Sequence, residues 1–149
     1  MARLVQRGEV VGIDLAAGMT AAAFRSARAK GLYNTAFIQA DVCALPDMLN
    51  EAFDLAYSLL AHHHYPEPDT ATRAIFRCLR PGGLYAVIDA GPGWFTELSS
   101  PLASWADPGW IGFHTPEQFR ALHAFVGFVD CCWIDLLPGF GIALARKPR

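Results

Sequence analysis

The stretch Glu9-Val-Val-Gly-Ile-Asp14 is a short run of mostly apolar residues, three of them β-branched, that ends in an acid. Consecutive apolar positions are typical of a strand that is buried on both faces of a parallel sheet. The chain continues with an alanine-rich segment at residues 16–30, where apolar residues recur at helical spacing until Gly31. A strand followed by a helix predicts an α/β unit, with Asp14 at the carboxyl end of its strand.

Strands and helices continue to alternate along the rest of the chain. We predict strands at 35–40, 53–60 and 84–89, helices at 69–80 and from Thr115 to about Phe125, and a closing hairpin of 128–137 and 141–146. Residues 42–52 could hold a helical turn, and Pro81-Gly82-Gly83 is predicted to be a turn. This order predicts a single α/β domain over residues 1–149, with a Rossmann-like sheet that is mostly parallel and ends in an antiparallel hairpin.

The composition excludes several classes of protein. The 149 residues include 12 Lys+Arg and 14 Asp+Glu, so the formal charge is −2 and no nucleic-acid partner is predicted. No apolar run approaches the roughly 20 residues of a membrane-spanning helix, so no membrane span is predicted. The four cysteines have no CxxC spacing, which favours reduced thiols and a cytoplasmic protein: Cys43, Cys78, Cys131 and Cys132.

Residues 90–114 form a long stretch without clear periodicity. The stretch is rich in proline and contains the aromatic residues Trp94, Phe95, Trp105, Trp110 and Phe113. Loops of this length are usually lids or binding segments, so we predict a lid or acceptor-pocket loop here. Its aromatic side chains either line an apolar pocket or fold onto the core as a lid, and the sequence leaves both alternatives open.

Three consecutive histidines, His62-His63-His64, follow the third predicted strand. Consecutive side chains diverge on extended backbone and no nearby acidic or cysteine cluster completes a shell, so no metal site is predicted. Because histidine titrates near neutral pH, His62 or His63 is a candidate general base for an acceptor hydroxyl or an acidic carbon. The alternative is that these residues are ordinary polar loop residues.

Several short motifs follow one another over nearly the whole chain. They are Val11-Gly-Ile-Asp14, Met19, Gln39-Ala-Asp41-Val42, Leu45-Pro46, Phe53-Asp54, the three histidines, Leu79-Arg-Pro-Gly-Gly83, and Gly127-Phe128 before the hairpin. Each motif is weak by itself, but the set in this order is fairly specific. The chain resembles class I S-adenosylmethionine-dependent methyltransferases, in particular the ubiquinone and menaquinone C-methyltransferase type.

The resemblance implies a cofactor, S-adenosylmethionine, which leaves as S-adenosylhomocysteine. Asp14 matches the acid that accepts the ribose hydroxyls, Met19 the residue on the adenine face, and Asp41 the acid that receives the adenine amino group. The backbone of Val42 would contact a ring nitrogen. The implied cofactor-binding residues are Asp14, Leu15, Met19, Asp41, Val42 and Ser58, the last where the methionine part would pass. The alternatives are that Asp14 caps the following helix and that Met19 packs in the core.

The function implied by the resemblance is methyl transfer to a small acceptor that is apolar or quinone-like. His63, Trp94 and Trp110 are the candidate acceptor contacts. One alternative is a noncatalytic methyltransferase-like domain that binds a protein partner. Another is a nicotinamide dehydrogenase domain, which needs a GxGxxG turn before Glu9 that this chain lacks.

The family's first strand and its glycine-rich turn would precede Glu9. Residues 1–8 look instead like the end of the helix that follows this turn, so we expect the chain to be N-terminally truncated relative to the family. The rest would form a two-stranded and a four-stranded piece, each with an unpaired edge through which the chain could form homo-oligomers. We therefore expect this chain alone to bind the cofactor weakly or not at all, and its activity to suffer accordingly.

Overall fold

The computed structural model describes residues 1–5, 7–90 and 112–149. These residues form two compact units, Met1–Pro46 and Asp47–Arg149. That residues 1–149 act as a single domain stays a prediction. Across the described ranges, no helix combines the length and the apolar composition that crossing a bilayer requires.

The first unit is a strand, a helix and a second strand. β1 (Val10–Asp14) leads into α1 (Ala17–Ala29), and β2 (Thr35–Gln39) returns parallel to β1. The pairing begins at Val10 with Thr35 and ends at Asp14 with Gln39, so both strands finish at one edge. These three elements confirm the sequence prediction. A 3₁₀ turn at Val42–Ala44 follows β2.

The second unit holds four strands and two helices. Its elements are β3 (Phe53–Leu59), α2 (Pro68–Cys78), β4 (Leu79–Ala90), α3 (Pro116–Val126), β5 (Val129–Leu137) and β6 (Phe140–Arg146). The strand order is β3-β4-β6-β5, with β3 parallel to β4 and the other pairs antiparallel. The described residues thus contain the expected two-stranded and four-stranded sheets, and the mixed sheet with its antiparallel hairpin is confirmed.

The start of β4 differs from the prediction. This strand begins at Leu79, five residues before the predicted Leu84, because residues on both sides of Pro81-Gly82-Gly83 pair with β3. Phe53 pairs with Leu79 and Leu55 with Leu84, so the intervening residues bulge out of the ladder. The expected turn is therefore a bulge within a strand.

The core of the second unit lies between one face of the sheet and the two helices. It includes Tyr85 and Val87 of β4, Ala143 and Ala145 of β6, Ala71 and Ile75 of α2, and Phe119 and Leu122 of α3. The other face carries exposed apolar residues. On β3 these are Leu55, Tyr57 and Leu59, which alternate along the strand and are called the β3 stripe below.

Candidate active site

Two carboxylates follow the neighbouring strands of the first unit. Asp14 is the last residue of β1, and Asp41 lies two residues after the end of β2. Because the strands are parallel, both acids lie at the carboxyl edge, where open α/β sheets bind ligands. The Oδ1 atom of Asp14 accepts the backbone N–H of Ala16 at 2.8 Å, and Oδ1 of Asp41 accepts that of Cys43 at 2.8 Å.

These local hydrogen bonds occupy one oxygen of each carboxylate. In the described part of the chain, the Oδ2 atoms of Asp14 and Asp41 accept no hydrogen bond. The structure does not support the alternative that Asp14 caps the helix, because its partner Ala16 is itself the N-cap residue of α1 and this helix start has no side-chain cap hydrogen bond. A vicinal pair of ribose hydroxyls and an adenine amino group each need such an acceptor, so the carboxylates fit a nucleoside.

The neighbours of the two acids offer backbone atoms and apolar surface. Val42 is the first residue of its 3₁₀ turn, a position whose N–H has no partner within the turn. The carbonyl of Leu15 accepts the Nε2–H of Gln39 at 3.2 Å, while the Leu15 side chain is exposed. Met19, in the first turn of α1, is 60% exposed, which argues against the alternative that it packs in the core.

In the second unit, His63 pairs with Asp89. The Nδ1 atom of His63 lies 2.7 Å from Oδ1 of Asp89, and the backbone N–H of His63 donates to Oδ2 at 3.2 Å. The N–H of Ala90 also donates to Oδ1, at 2.8 Å. His63 belongs to the short 3₁₀ turn after β3, and Asp89 lies near the carboxyl end of β4. Sequence reasoning missed Asp89, although an acid at the end of a parallel strand was the signal that identified Asp14.

His62 has a different environment from His63. Its side chain is fully buried, with ring centroids 5.0 Å from those of Tyr65, His114 and Phe119. Burial, and then the neighbouring His114, His123 and His63, lower the pKa of His62 to about 3. Of the two candidate bases, His63 is therefore the more accessible, because its side chain is only partly buried.

Of the remaining candidate site residues, the structure describes Ser58 but not the aromatic residues of the predicted loop. Ser58 is buried, and its hydroxyl lies 3.2 Å from the Tyr65 hydroxyl, so its oxygen already has a partner. Residues 91–111, with Trp94, Phe95, Trp105 and Trp110, lie outside the described residues, as does most of the predicted loop at 90–114. The described residues contain no group of three or more His, Cys, Asp or Glu side chains that could hold a metal ion.

The mixed sheet and its helices define an α/β protein with the Rossmann-like methyltransferase fold. Comparison with protein families matches residues 1–87 to the family described as a methyltransferase domain. This range is more than half of the chain. The chain belongs to the methyltransferase domain family.

Two curated relatives each match a little over half of the chain. The demethylmenaquinone methyltransferase of Thermus thermophilus is 37% identical over 84 residues, which are 56% of this chain and 37% of the relative. The uncharacterized protein YafE of Escherichia coli is 35% identical over 85 residues, 56% of this chain and 41% of the relative. The matched region thus spans about two fifths of each relative.

Solved structures resemble nearly all of the chain. The phosphoethanolamine N-methyltransferase 2 of Haemonchus contortus, in complex with S-adenosyl-L-methionine, has a TM-score of 0.78 at 17% identity, over 95% of this chain and 44% of its own. A putative methyltransferase from Bacillus halodurans has a TM-score of 0.77 at 17% identity, over 95% and 84% of the two chains. The [4+2]-cyclase SpnF reaches 0.75 at 22% identity, over 98% and 69%. At these identities the likeness concerns the fold.

Proposed function

We propose that this chain takes part in S-adenosylmethionine-dependent methyl transfer to a small acceptor that is apolar or quinone-like. The observation that carries the proposal is the pair Asp14 and Asp41, at one edge of a parallel sheet and each with one oxygen that accepts no hydrogen bond from the described residues. Two such acceptors suit the ribose hydroxyls and the adenine amino group of one nucleoside. Membership in the methyltransferase domain family supports the same cofactor.

Four residues of the first unit have a defined part in this proposal. Asp14 accepts hydrogen bonds from the ribose, Asp41 accepts one from the adenine amino group, and Val42 donates its N–H to a ring nitrogen. Met19 packs its thioether side chain on the adenine face, where sulfur and aromatic rings attract each other. When bound, S-adenosylmethionine supplies a methyl group attached to a positively charged sulfur. The protein's main contribution to such a reaction is to hold the reactants in line.

The acceptor class rests on the relatives and on the second unit. The demethylmenaquinone methyltransferase that matches this chain suggests by its name a quinone-like acceptor. His63 borders the acceptor in our proposal because it lies just beyond the carboxyl end of β3. We propose Trp94 and Trp110 as further acceptor contacts, from their place in the aromatic segment.

Titration of the full chain with S-adenosylmethionine, followed through backbone amide NMR signals, tests the cofactor site. We expect the largest shifts at Asp14, Leu15, Met19, Asp41 and Val42. Adenosine should bind with similar affinity, because the proposed contacts in the first unit all reach the nucleoside. The expected affinity is weak, with a dissociation constant of about 1 mM, equivalent to roughly 4 kcal/mol.

Matched substitutions separate specific from nonspecific binding. Asp14→Asn and Asp41→Asn should each weaken binding about tenfold, because a hydrogen bond to a charged group is lost or reversed. Asp54→Asn is the control, since Asp54 is a highly exposed acid that pairs with Arg80 on the surface. Equal affinities for all three variants, or shifts confined to other residues, would contradict the proposed site. Transfer of a labelled methyl group to 1,4-naphthoquinol then tests the reaction itself.

A further inference from the structure

The hydrogen bonds around Asp89 indicate which nitrogen of the His63 ring carries a hydrogen. Asp89 is only 2% exposed, and its carboxylate accepts N–H groups from the His63 backbone, the Ala90 backbone and the His63 ring. A carboxylate that accepts the hydrogen at Nδ1 leaves Nε2 of a neutral imidazole with its lone pair. Within the described residues, no hydrogen bond involves Nε2 of His63.

His63 and Asp89 lie at the edge of the sheet where ligands bind in this class of fold. β3 and β4 are parallel neighbours, and their last paired residues are Leu59 and Ile88. Asp89 directly follows Ile88, and the turn that carries His63 begins three residues after Leu59. The imidazole therefore lies beyond the carboxyl ends of two parallel strands, where α/β sheets bind their ligands. Its side chain remains 14% exposed.

We propose that His63 and Asp89 form a proton-accepting pair and that the acceptor carries an ionisable hydroxyl group, as a phenol, an enol or a quinol does. The proposal rests on the methyl-transfer function proposed above and narrows its substrate class. His63 is the catalytic base in this scheme. Asp89 is a positioning residue that acts through His63.

The proton and electron changes are simple. The O–H bond of the acceptor breaks, its proton goes to Nε2 of His63, and the electron pair stays on the acceptor oxygen. That oxygen, or a ring carbon conjugated with it, forms a bond to the methyl carbon of the sulfonium donor as the carbon–sulfur bond breaks and leaves its electron pair on sulfur. When a ring carbon is methylated, that carbon then loses its own proton to water, the ring oxygen takes back the proton held at Nε2 of His63, and the ring regains its conjugation. Asp89 stabilises the imidazolium that forms and holds its orientation, as the acid of a catalytic triad does.

An acceptor without an ionisable proton gains nothing from such a pair. The probe for the base is therefore 4-nitrophenol, whose phenolate absorbs visible light, added to the full chain without cofactor over a pH series. We expect the wild-type protein to lower the apparent pKa of the bound phenol by about one unit, a tenfold change in its ionisation. The corresponding ether, 4-nitroanisole, has no such proton and should show no titration.

Variants assign the effect to the two residues. His63→Gln should abolish the shift in the phenol titration, Asp89→Asn should reduce it, and the surface variant Asp54→Asn should retain it. Nitrogen NMR of the histidine rings should show that the neutral His63 ring of the wild type carries its proton at Nδ1. In Asp89→Asn it should show a mixture of the two neutral tautomers. A purely structural role of Asp89 would leave the tautomer unchanged in any variant that folds.

Several outcomes overturn the proposal. They are the absence of a phenol shift in the wild type, a shift that persists in His63→Gln, and a shift that is lost in His64→Gln instead. These outcomes differ from a failure of the proposed function. A wild-type phenol shift that depends on His63, together with no binding of S-adenosylmethionine or adenosine, would keep the proton-accepting pair and remove the methyl-transfer assignment.

Discussion

His62 and Phe119 pack against each other in the core of the second unit, with their ring centroids 5.0 Å apart at an interplanar angle of 63°. Both side chains are buried, and neither ring nitrogen of His62 has a hydrogen-bond partner within the described residues. A second buried histidine, His123, lies against the same phenylalanine at 6.1 Å. The core thus holds two imidazole rings that are stable there only in their neutral form.

These histidines should make the protein sensitive to acid. Burial lowers the pKa of His62 to about 3 and that of His123 to about 4, both from an ordinary value of 6.5. Below about pH 6.5 the unfolded chain binds protons that the folded chain does not. The free energy of unfolding therefore decreases as the pH is lowered. The loss continues until about pH 4 for His123 and about pH 3 for His62. Each histidine contributes a slope of at most about 1.4 kcal/mol per pH unit.

Urea unfolding over this pH range measures the slope. In His62→Leu we expect the slope to drop by one histidine's contribution, while stability at neutral pH stays similar because no hydrogen bond is lost. The control variant Met48→Leu changes a highly exposed side chain and no ionisable group, so it should keep the wild-type slope. An unchanged slope in His62→Leu would show that this residue is not the source of the acid sensitivity.

The helices and strands were largely predictable because their signals are local. The run Val10–Asp14, the spacing of apolar residues in α1 and the Thr115-Pro116 start of α3 each appear in consecutive residues. The bulge at Pro81-Gly82-Gly83 was missed because it depends on pairing with β3 on both sides, which is not a property of the segment itself. Proline and glycine predict an interruption but cannot tell a turn from a bulge.

The positions of candidate site residues were predictable where one residue carries the signal. Asp14 and Asp41 each end or follow a strand, so their common edge follows from the parallel order. The pair of His63 with Asp89 joins residues 26 positions apart, and the sequence did not distinguish His63 from His62 as the candidate base. Their different burial arises from packing against α3, which sequence patterns do not specify.

Gly141 and Trp133 provide a test of packing in the hairpin of β5 and β6. A Cβ atom at Gly141 would overlap the Trp133 ring and lie 2.8 Å from the carbonyl oxygen of Ile134. Backbone cannot yield as a flexible side chain does, so Gly141→Ala should lower the free energy of unfolding by about 1–3 kcal/mol. Urea unfolding monitored by tryptophan fluorescence measures the loss.

The matched control is Gly18→Ala in helix α1. No heavy atom lies within 4 Å of a Cβ placed there, and alanine favours helices over glycine. This variant should be neutral or stabilise the chain by up to about 1 kcal/mol. A Gly141→Ala protein as stable as the wild type would mean that both the Trp133 ring and the backbone at Ile134 can move aside.

The start of α3 is held by reciprocal hydrogen bonds. The Thr115 hydroxyl accepts the Gln118 backbone N–H at 3.2 Å, and the Gln118 side-chain oxygen accepts the Thr115 N–H at 2.7 Å. Thr115→Ala should therefore cost about 1 kcal/mol of stability. Thr115→Ser keeps the hydroxyl and should stay within a few tenths of a kcal/mol of the wild type. Equal losses in both variants, measured by thermal unfolding, would point to the threonine methyl group instead of the cap.

The β3 stripe predicts self-association. Leu55, Tyr57 and Leu59 are 40%, 44% and 56% exposed, and β3 is an edge strand of the four-stranded sheet. An exposed apolar edge is a common route to pairing between chains. Sedimentation velocity should show larger species as the concentration rises, and Leu59→Lys should shift them toward monomer. Leu137→Lys, on the opposite edge strand β5, changes a leucine that is 68% exposed and should leave the association unchanged. If both lysine variants reduced association equally, general charge repulsion would explain the effect and the β3 stripe would lose its assigned role.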